Sequence, residues 1–127
     1  MGRYMKVLLS IKPQFANRIF SGEKKFEFRK MTFKREVTTV VVYATMPVGM
    51  IIGEFKIGGI LEGTPQELWE KTKEQAGISQ DGYQSYFLGR SNGYAIRIEK
   101  TKLYGEAIDP ACLRSFTVPQ SFRYLES

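Results

Sequence analysis

Apolar and polar positions along the chain change period several times, and the changes mark out its elements. Residues 4–12 carry Val7, Leu8, Leu9 and Ile11 in loose alternation, the pattern of a first strand that enters a core. Pro13 then opens a short helix in which Phe15 and Ile19, and Ala16 and Phe20, fall four apart on one stripe. Gly22 stands just past its end, where a left-handed cap favours glycine. Residues 24–30 switch to period two. Phe26 and Phe28 point one way and Lys25, Glu27 and Arg29 the other, which predicts a strand with one core face and one charged, solvated face.

After a basic connection, residues 37–44 are β-branched almost throughout, as in a strand covered on both faces. Pro47 and Gly49 make a turn, and residues 50–61 form the next strand, with Gly58-Gly59 as a bulge or bend. Thr64-Pro65-Gln66-Glu67 is a capping box that predicts a helix over 65–76, with Leu68 and Trp69 as its apolar contacts. A shorter helix, started by Ser79 or Asp81 and ended by Gly89, is expected over 79–87. There Tyr86 and Phe87 are adjacent and cannot share a face, so one ring is expected at a surface or cleft edge. Residues 94–105 alternate again as a strand, 110–116 suggest a turn or helical piece, and 119–125 are extended enough to lie back on the sheet. With no repeat and no linker, residues 1–127 are expected to form a single α+β, β-rich domain. Its architecture is a small, mostly antiparallel β-barrel decorated with short α-helices.

Composition narrows the chemistry. At 127 residues with 43% hydrophobic content the chain can bury a core without disulfides. It contains no histidine, which removes the commonest general base and zinc ligand. Its one cysteine, Cys112, can neither pair within the chain nor complete a cysteine cluster; it is expected to be a small buried side chain. No metal and no cofactor are predicted. The apolar run at residues 7–9 is too short for a signal peptide or a membrane span, so a soluble cytoplasmic protein without a membrane partner is expected.

The net charge of +6 is unevenly placed. Residues 1–36 hold ten Lys or Arg against three acids, and the remaining 91 residues sum to −1. An excess confined to one quarter of the chain predicts an electropositive face that attracts polyanions, or else a solubilising surface. Its densest stretch is Gly22-Glu23-Lys24-Lys25-Phe26-Glu27-Phe28-Arg29. Alternation puts Glu27 and Arg29 on one strand face, as a ligand site or as an ordinary ion pair.

This stretch has the form G-x-K-x-x-E-x-R directly after a short helix. It is preceded by Leu8-Leu9-Ser10-Ile11-Lys12-Pro13 and followed by Tyr43-Ala44-Thr45-Met46-Pro47, Gly53-Glu54-Phe55 and Pro119-Gln120-Ser121-Phe122. In this order the pieces resemble the ASCH domain family of the PUA-like superfamily across nearly the whole chain. The resemblance implies a PUA-like β-barrel with a cleft between barrel and helices that takes RNA, nucleotides or modified nucleosides. By motif it assigns Lys24, Glu27 and Arg29 to that cleft, with Ser10 and Lys12 beside them, Gln120 and Ser121 approaching from the tail, and Tyr43 stacking on a base or filling the core.

Similar amidohydrolases that deacylate a modified cytidine use the motif lysine, a threonine three residues later and a downstream glutamate. Here Lys24 matches the lysine, but Glu27 stands at the threonine position and removes that nucleophile. Lys24 and Glu27 would then be the catalytic acid and base of any enzyme, with water as nucleophile. The expected function is therefore RNA or modified-nucleotide binding in a basic cleft. The alternatives are an amidohydrolase acting on an acylated cytidine-type nucleoside, a ribonuclease, and a protein-interaction adaptor with a protein partner. The choice among RNA, DNA and free nucleoside stays open at this stage, as does oligomeric state.

Overall fold

A computed structural model describes residues 5–112 and 122–125. Six strands form one mixed sheet curled into a half-barrel: β1 (Lys6–Ile11), β2 (Phe26–Arg29), β3 (Thr39–Ala44), β4 (Met50–Gly63), β5 (Gly93–Ile108) and β6 (Phe122–Leu125). Their spatial order is β2-β5-β4-β3-β1-β6. The β1–β3 pair is parallel, with Leu8 beside Val41 and Ser10 beside Tyr43. Every other pairing is antiparallel.

Among the described residues three α-helices decorate the sheet: α1 (Pro13–Ser21), α2 (Pro65–Thr72) and α3 (Gln80–Phe87). α1 starts at Pro13 and stops at Gly22, whose φ of 88° is the left-handed cap expected of that glycine. α2 begins with the reciprocal Thr64–Glu67 capping box. It ends earlier than its sequence pattern suggests, because residues Lys73–Gln75 tighten into a 3-10 turn. In α3 the Ser79 side chain accepts from the Gly82 N–H and fixes the first turn.

The interior is divided by the sheet. Val7, Leu9 and Ile11 of β1, Val40 and Val42 of β3, Phe55 and Ile96 pack with Ala16 and Ile19 of α1 in the main core. A second cluster sets Phe26 and Phe28 of β2 against Leu68, Ala76, Tyr83 and Phe87 from the α2–α3 segment. Trp69 packs on it, its ring 4.7 Å from that of Tyr83. A third cluster groups Leu8, Val41, Tyr43 and Ile51.

Two sequence expectations are corrected. Cys112 is exposed, because the 3-10 turn that carries it, Pro110–Cys112, buries only its proline. The charged face of β2 is not solvated. Glu27 is only 7% exposed, its carboxylate flanked by the Lys24 ammonium at 4.0 Å and by Arg29 Nη1 at 3.2 Å. Period two identified the two faces of β2 correctly; what the pattern could not show is that helices and strands wall in both.

Candidate functional site

A cleft of about 1040 Å³ opens where β1 runs into α1. One wall is Ser10, Lys12, Phe15 and Arg18, the other is Ile78, Ser79, Tyr83 and Tyr86, and the floor and rim come from Lys24 and the segment Glu27 to Met31. The sequence places each side simply. Pro13 starts α1 immediately after β1, so Ser10 and Lys12 fall at the junction, and the capped start of α3 turns Tyr83 and Tyr86 toward the same space. Among the described residues, five basic side chains line the cleft against one carboxylate: Lys12, Arg18, Lys24, Arg29 and Lys30 against Glu27.

Lys24 lies deepest, at 2% exposure. Its ammonium donates to the Ala76 carbonyl at 2.8 Å, stands 4.0 Å from a Glu27 carboxylate oxygen, and lies 5.3 and 4.9 Å from the ring centres of Phe15 and Phe28. Burial pulls its pKa below the ordinary lysine value, the Glu27 charge opposes that shift, and the Arg18 charge adds to it. The seat depends on Gly77, whose φ is +66° and where an added Cβ would collide with the Lys24 side chain. The carbonyl of Gly77 also accepts from Arg18 at 3.0 Å, which joins α1 to the segment after α2.

Glu27 is held from both sides. Its other oxygen accepts from Arg29 Nη1 at 3.2 Å, and the same nitrogen lies 3.4 Å from the Ser10 carbonyl. The carboxylate is therefore a strut between a buried ammonium and a guanidinium that ties β2 to β1. Above it Lys30 lies 4.8 Å over the Tyr86 ring. Burial raises the pKa of Tyr86.

Of the residues assigned from sequence, Ser10, Lys12, Lys24, Glu27 and Arg29 come together around this cleft. Tyr43 does not line it. Its side chain is 3% exposed and fills the third core cluster with Leu8, Val41 and Ile51, so the core alternative holds for it. Gln120 and Ser121 lie outside the described residues. Of the adjacent rings, Tyr86 lines the cleft and Phe87 is buried. Sequence reasoning passed over Phe15, Arg18 and Tyr83 as cleft residues. Each was legible as a helix position, but nothing local tells a core-facing ring from one that also borders a cavity. Among the described residues no group of three or more His, Cys, Asp or Glu could hold a metal ion, and no helix is long and apolar enough to cross a membrane.

A curled mixed sheet with a helix-walled cleft at the β1–α1 junction defines a PUA-like half-barrel. A family model described as ASCH domain matches residues 9–103, and the chain belongs to that family. It superposes on the crystal structure of ASCH from Zymomonas mobilis with a TM-score of 0.88 and 28% sequence identity, covering 95% of this chain and 87% of that one. An ASCH domain-containing ribonuclease of Zymomonas mobilis is 32% identical over 91 residues, which is 71% of this chain and 62% of that protein. The large ribosomal subunit protein uL22 of Ureaplasma parvum is 29% identical over 121 residues, or 94% of this chain. The chain spans only 39% of that protein's length.

Proposed function

We propose that this chain binds RNA in the cleft between β1, α1 and α3, with cationic side chains on phosphate and Tyr86 beside a base. The observation that carries the reading is the lining itself: among the described residues, five basic side chains against one carboxylate, and that carboxylate already engaged by Lys24 and Arg29. Such a lining supports an electropositive cleft, and rings among cations suit an unstacked strand. The ribonuclease name of the 32% identical relative supports RNA as the ligand class.

Roles within the site follow exposure. Lys12 and Lys30 are exposed and free to meet phosphate, while Lys24 and Glu27 are buried and act through Arg29. In this reading Glu27 is a positioning residue. Phosphodiester cleavage is the second reading, favoured over amide hydrolysis by the same relative's name, with Lys24 and Glu27 as acid and base. An exposed free thiol at Cys112 supports a reducing, cytoplasmic setting.

The test is a titration with a 12-nucleotide single-stranded RNA and with duplex RNA at 50 and 200 mM salt, with cleavage products resolved by gel from the same tubes. Each lost phosphate contact lowers the salt slope by about 0.7 for a single strand, so Lys12→Ala with Lys30→Ala should lower it by about 1.4. An unchanged slope and affinity in that double variant would remove the cleft from the proposal. Products that disappear in Glu27→Gln would promote the cleavage reading.

A further inference from the structure

We infer that the ligand is a polynucleotide strand, which leaves the cleft across the loop joining β2 to β3 and is gripped there by Lys34 and Arg35. This rests on the RNA-binding reading and extends it beyond the cleft. β2 and β6 are the two end strands of the sheet, so the loop after β2 starts at one edge of the half-barrel. It nevertheless reaches the other edge. The Lys34 N–H donates to the Tyr124 hydroxyl of β6 at 2.8 Å, and the Phe33 ring meets that of Phe122 edge-on at 5.0 Å. The loop lies across the gap that the curled sheet leaves open, beginning at the cleft rim, where Lys30 and Met31 already form part of the lining.

The charges on this bridge point outward. Lys30, Lys34 and Arg35 are exposed, with Glu36 as the one acid in the segment. Arg35 stacks 5.0 Å over the Tyr124 ring, which holds the guanidinium in place while leaving its edge N–H groups free for phosphate. Arg90 caps the near end by donating to the Lys30 carbonyl at 3.2 Å. Cations on a pinned loop lose less freedom on binding than cations on a loose one, which separates this segment from an ordinary solubilising surface. The five steps from Lys30 to Arg35 span at most roughly 18 Å. A stacked strand rises about 3.4 Å per nucleotide and an unstacked one more, so this length still has room for more than one phosphate beyond the cleft.

The experiment compares Lys34→Ala with Arg35→Ala, two exposed positions outside the cleft, against wild type on a nucleoside monophosphate and on RNA of 2, 4, 8 and 12 nucleotides. A Lys71→Ala with Lys73→Ala variant, on exposed residues around the end of α2, removes the same charge elsewhere. Two lost contacts should lower the 12-mer salt slope by about 1.4, which is about 25-fold in affinity at 0.1 M salt, with no change for the monophosphate. The α2 control should keep nearly all of the 12-mer affinity. Three results would overturn the inference: a 12-mer affinity unchanged in the loop variant, an equal loss in the α2 control, or polyglutamate bound as tightly as the 12-mer. If the loop variant were silent while Lys12→Ala with Lys30→Ala still weakened RNA, only the track would fall. If neither variant mattered, the cleft reading would fall with it.

Discussion

The interior under α1 and the interior at the cleft floor are equally closed to water, yet they are built from opposite materials. Under α1 the buried side chains are apolar, from Val7 and Leu9 through Ile19 to Phe55. A few residues away, Lys24 at 2% exposure and Glu27 at 7% bring opposite charges into the same depth. Burying apolar surface stabilises by about 25 cal/mol per Å², whereas burying an ion pair recovers at best its own desolvation. The first region therefore explains why the chain folds. The second is expensive in stability and is accounted for by what it positions: a guanidinium on β2 held at the mouth of a cleft.

The sharpest way to break that contrast is a double-mutant cycle on the pair. Glu27→Leu strands a buried ammonium and should cost roughly 3–5 kcal/mol, measured by urea denaturation. Lys24→Met should cost less, because Glu27 keeps Arg29 at 3.2 Å. Lys24→Met combined with Glu27→Leu should return to within about 1 kcal/mol of wild type, since well-packed apolar replacements of a buried pair are often neutral. RNA affinity should not return with it. A double variant that recovered both stability and affinity would make the pair a purely structural feature and erase the distinction between the two regions.

A second test uses pH, to which the buried lysine of the cleft floor and two tyrosines outside the α1 core respond with opposite sign. Lys24 has a folded pKa below its ordinary 10.5, so between the two values the unfolded chain binds more protons and stability rises with pH. That gain is complete above 10.5. Tyr83 and Tyr104 behave inversely: burial pushes both up to about 12, and for Tyr104 the hydrogen bond to Glu54 adds to the shift. Between pH 10 and 12 the unfolded chain has lost those protons and the folded one has not, so stability falls. The urea midpoint should climb toward pH 10 and decline beyond it. Lys24→Met should flatten only the climb, and Tyr104→Phe should remove part of the decline; a climb that survived in Lys24→Met would mean that another group carries it.

The same contrast explains how far the sequence alone could reach. Signals that act within a few residues were legible: Pro13 and Gly22 bounding α1, Thr64 and Glu67 opening α2, Ser79 opening α3, and the shared face of Glu27 and Arg29. Lys24 was legible by motif but not by depth. It precedes β2, where alternation no longer assigns a face, and its seat is made by Ala76 and Gly77, more than fifty positions away. Tyr43 stayed ambiguous in the sequence for a related reason, because a tyrosine at a strand end looks the same whether its ring meets a ligand or Leu8 and Ile51. The parallel β1–β3 pairing and the crossing of the β2–β3 loop to Tyr124 are also long-range, and they decide where the cleft and its rim lie.

The smallest effect separates the shell around the cleft floor from the floor itself. α2 leads into the segment that supplies the Ala76 carbonyl to Lys24, but its own start is fixed locally, by the Thr64 side chain accepting from the Glu67 N–H at 3.1 Å. Thr64→Ala should cost about 1 kcal/mol of stability, the usual loss for an N-cap hydroxyl. Because Leu68 and Tyr83 still anchor that segment in the second core cluster, the carbonyl should stay in place and RNA affinity should be unchanged. The Glu67 carboxylate, held below its usual range first by the Thr64 side chain, should titrate closer to an ordinary glutamate in the variant. If RNA affinity fell together with the cap, the position of Ala76 over Lys24 would depend on the far end of α2. The apolar shell and the charged floor would then be one cooperative unit rather than two regions of different purpose.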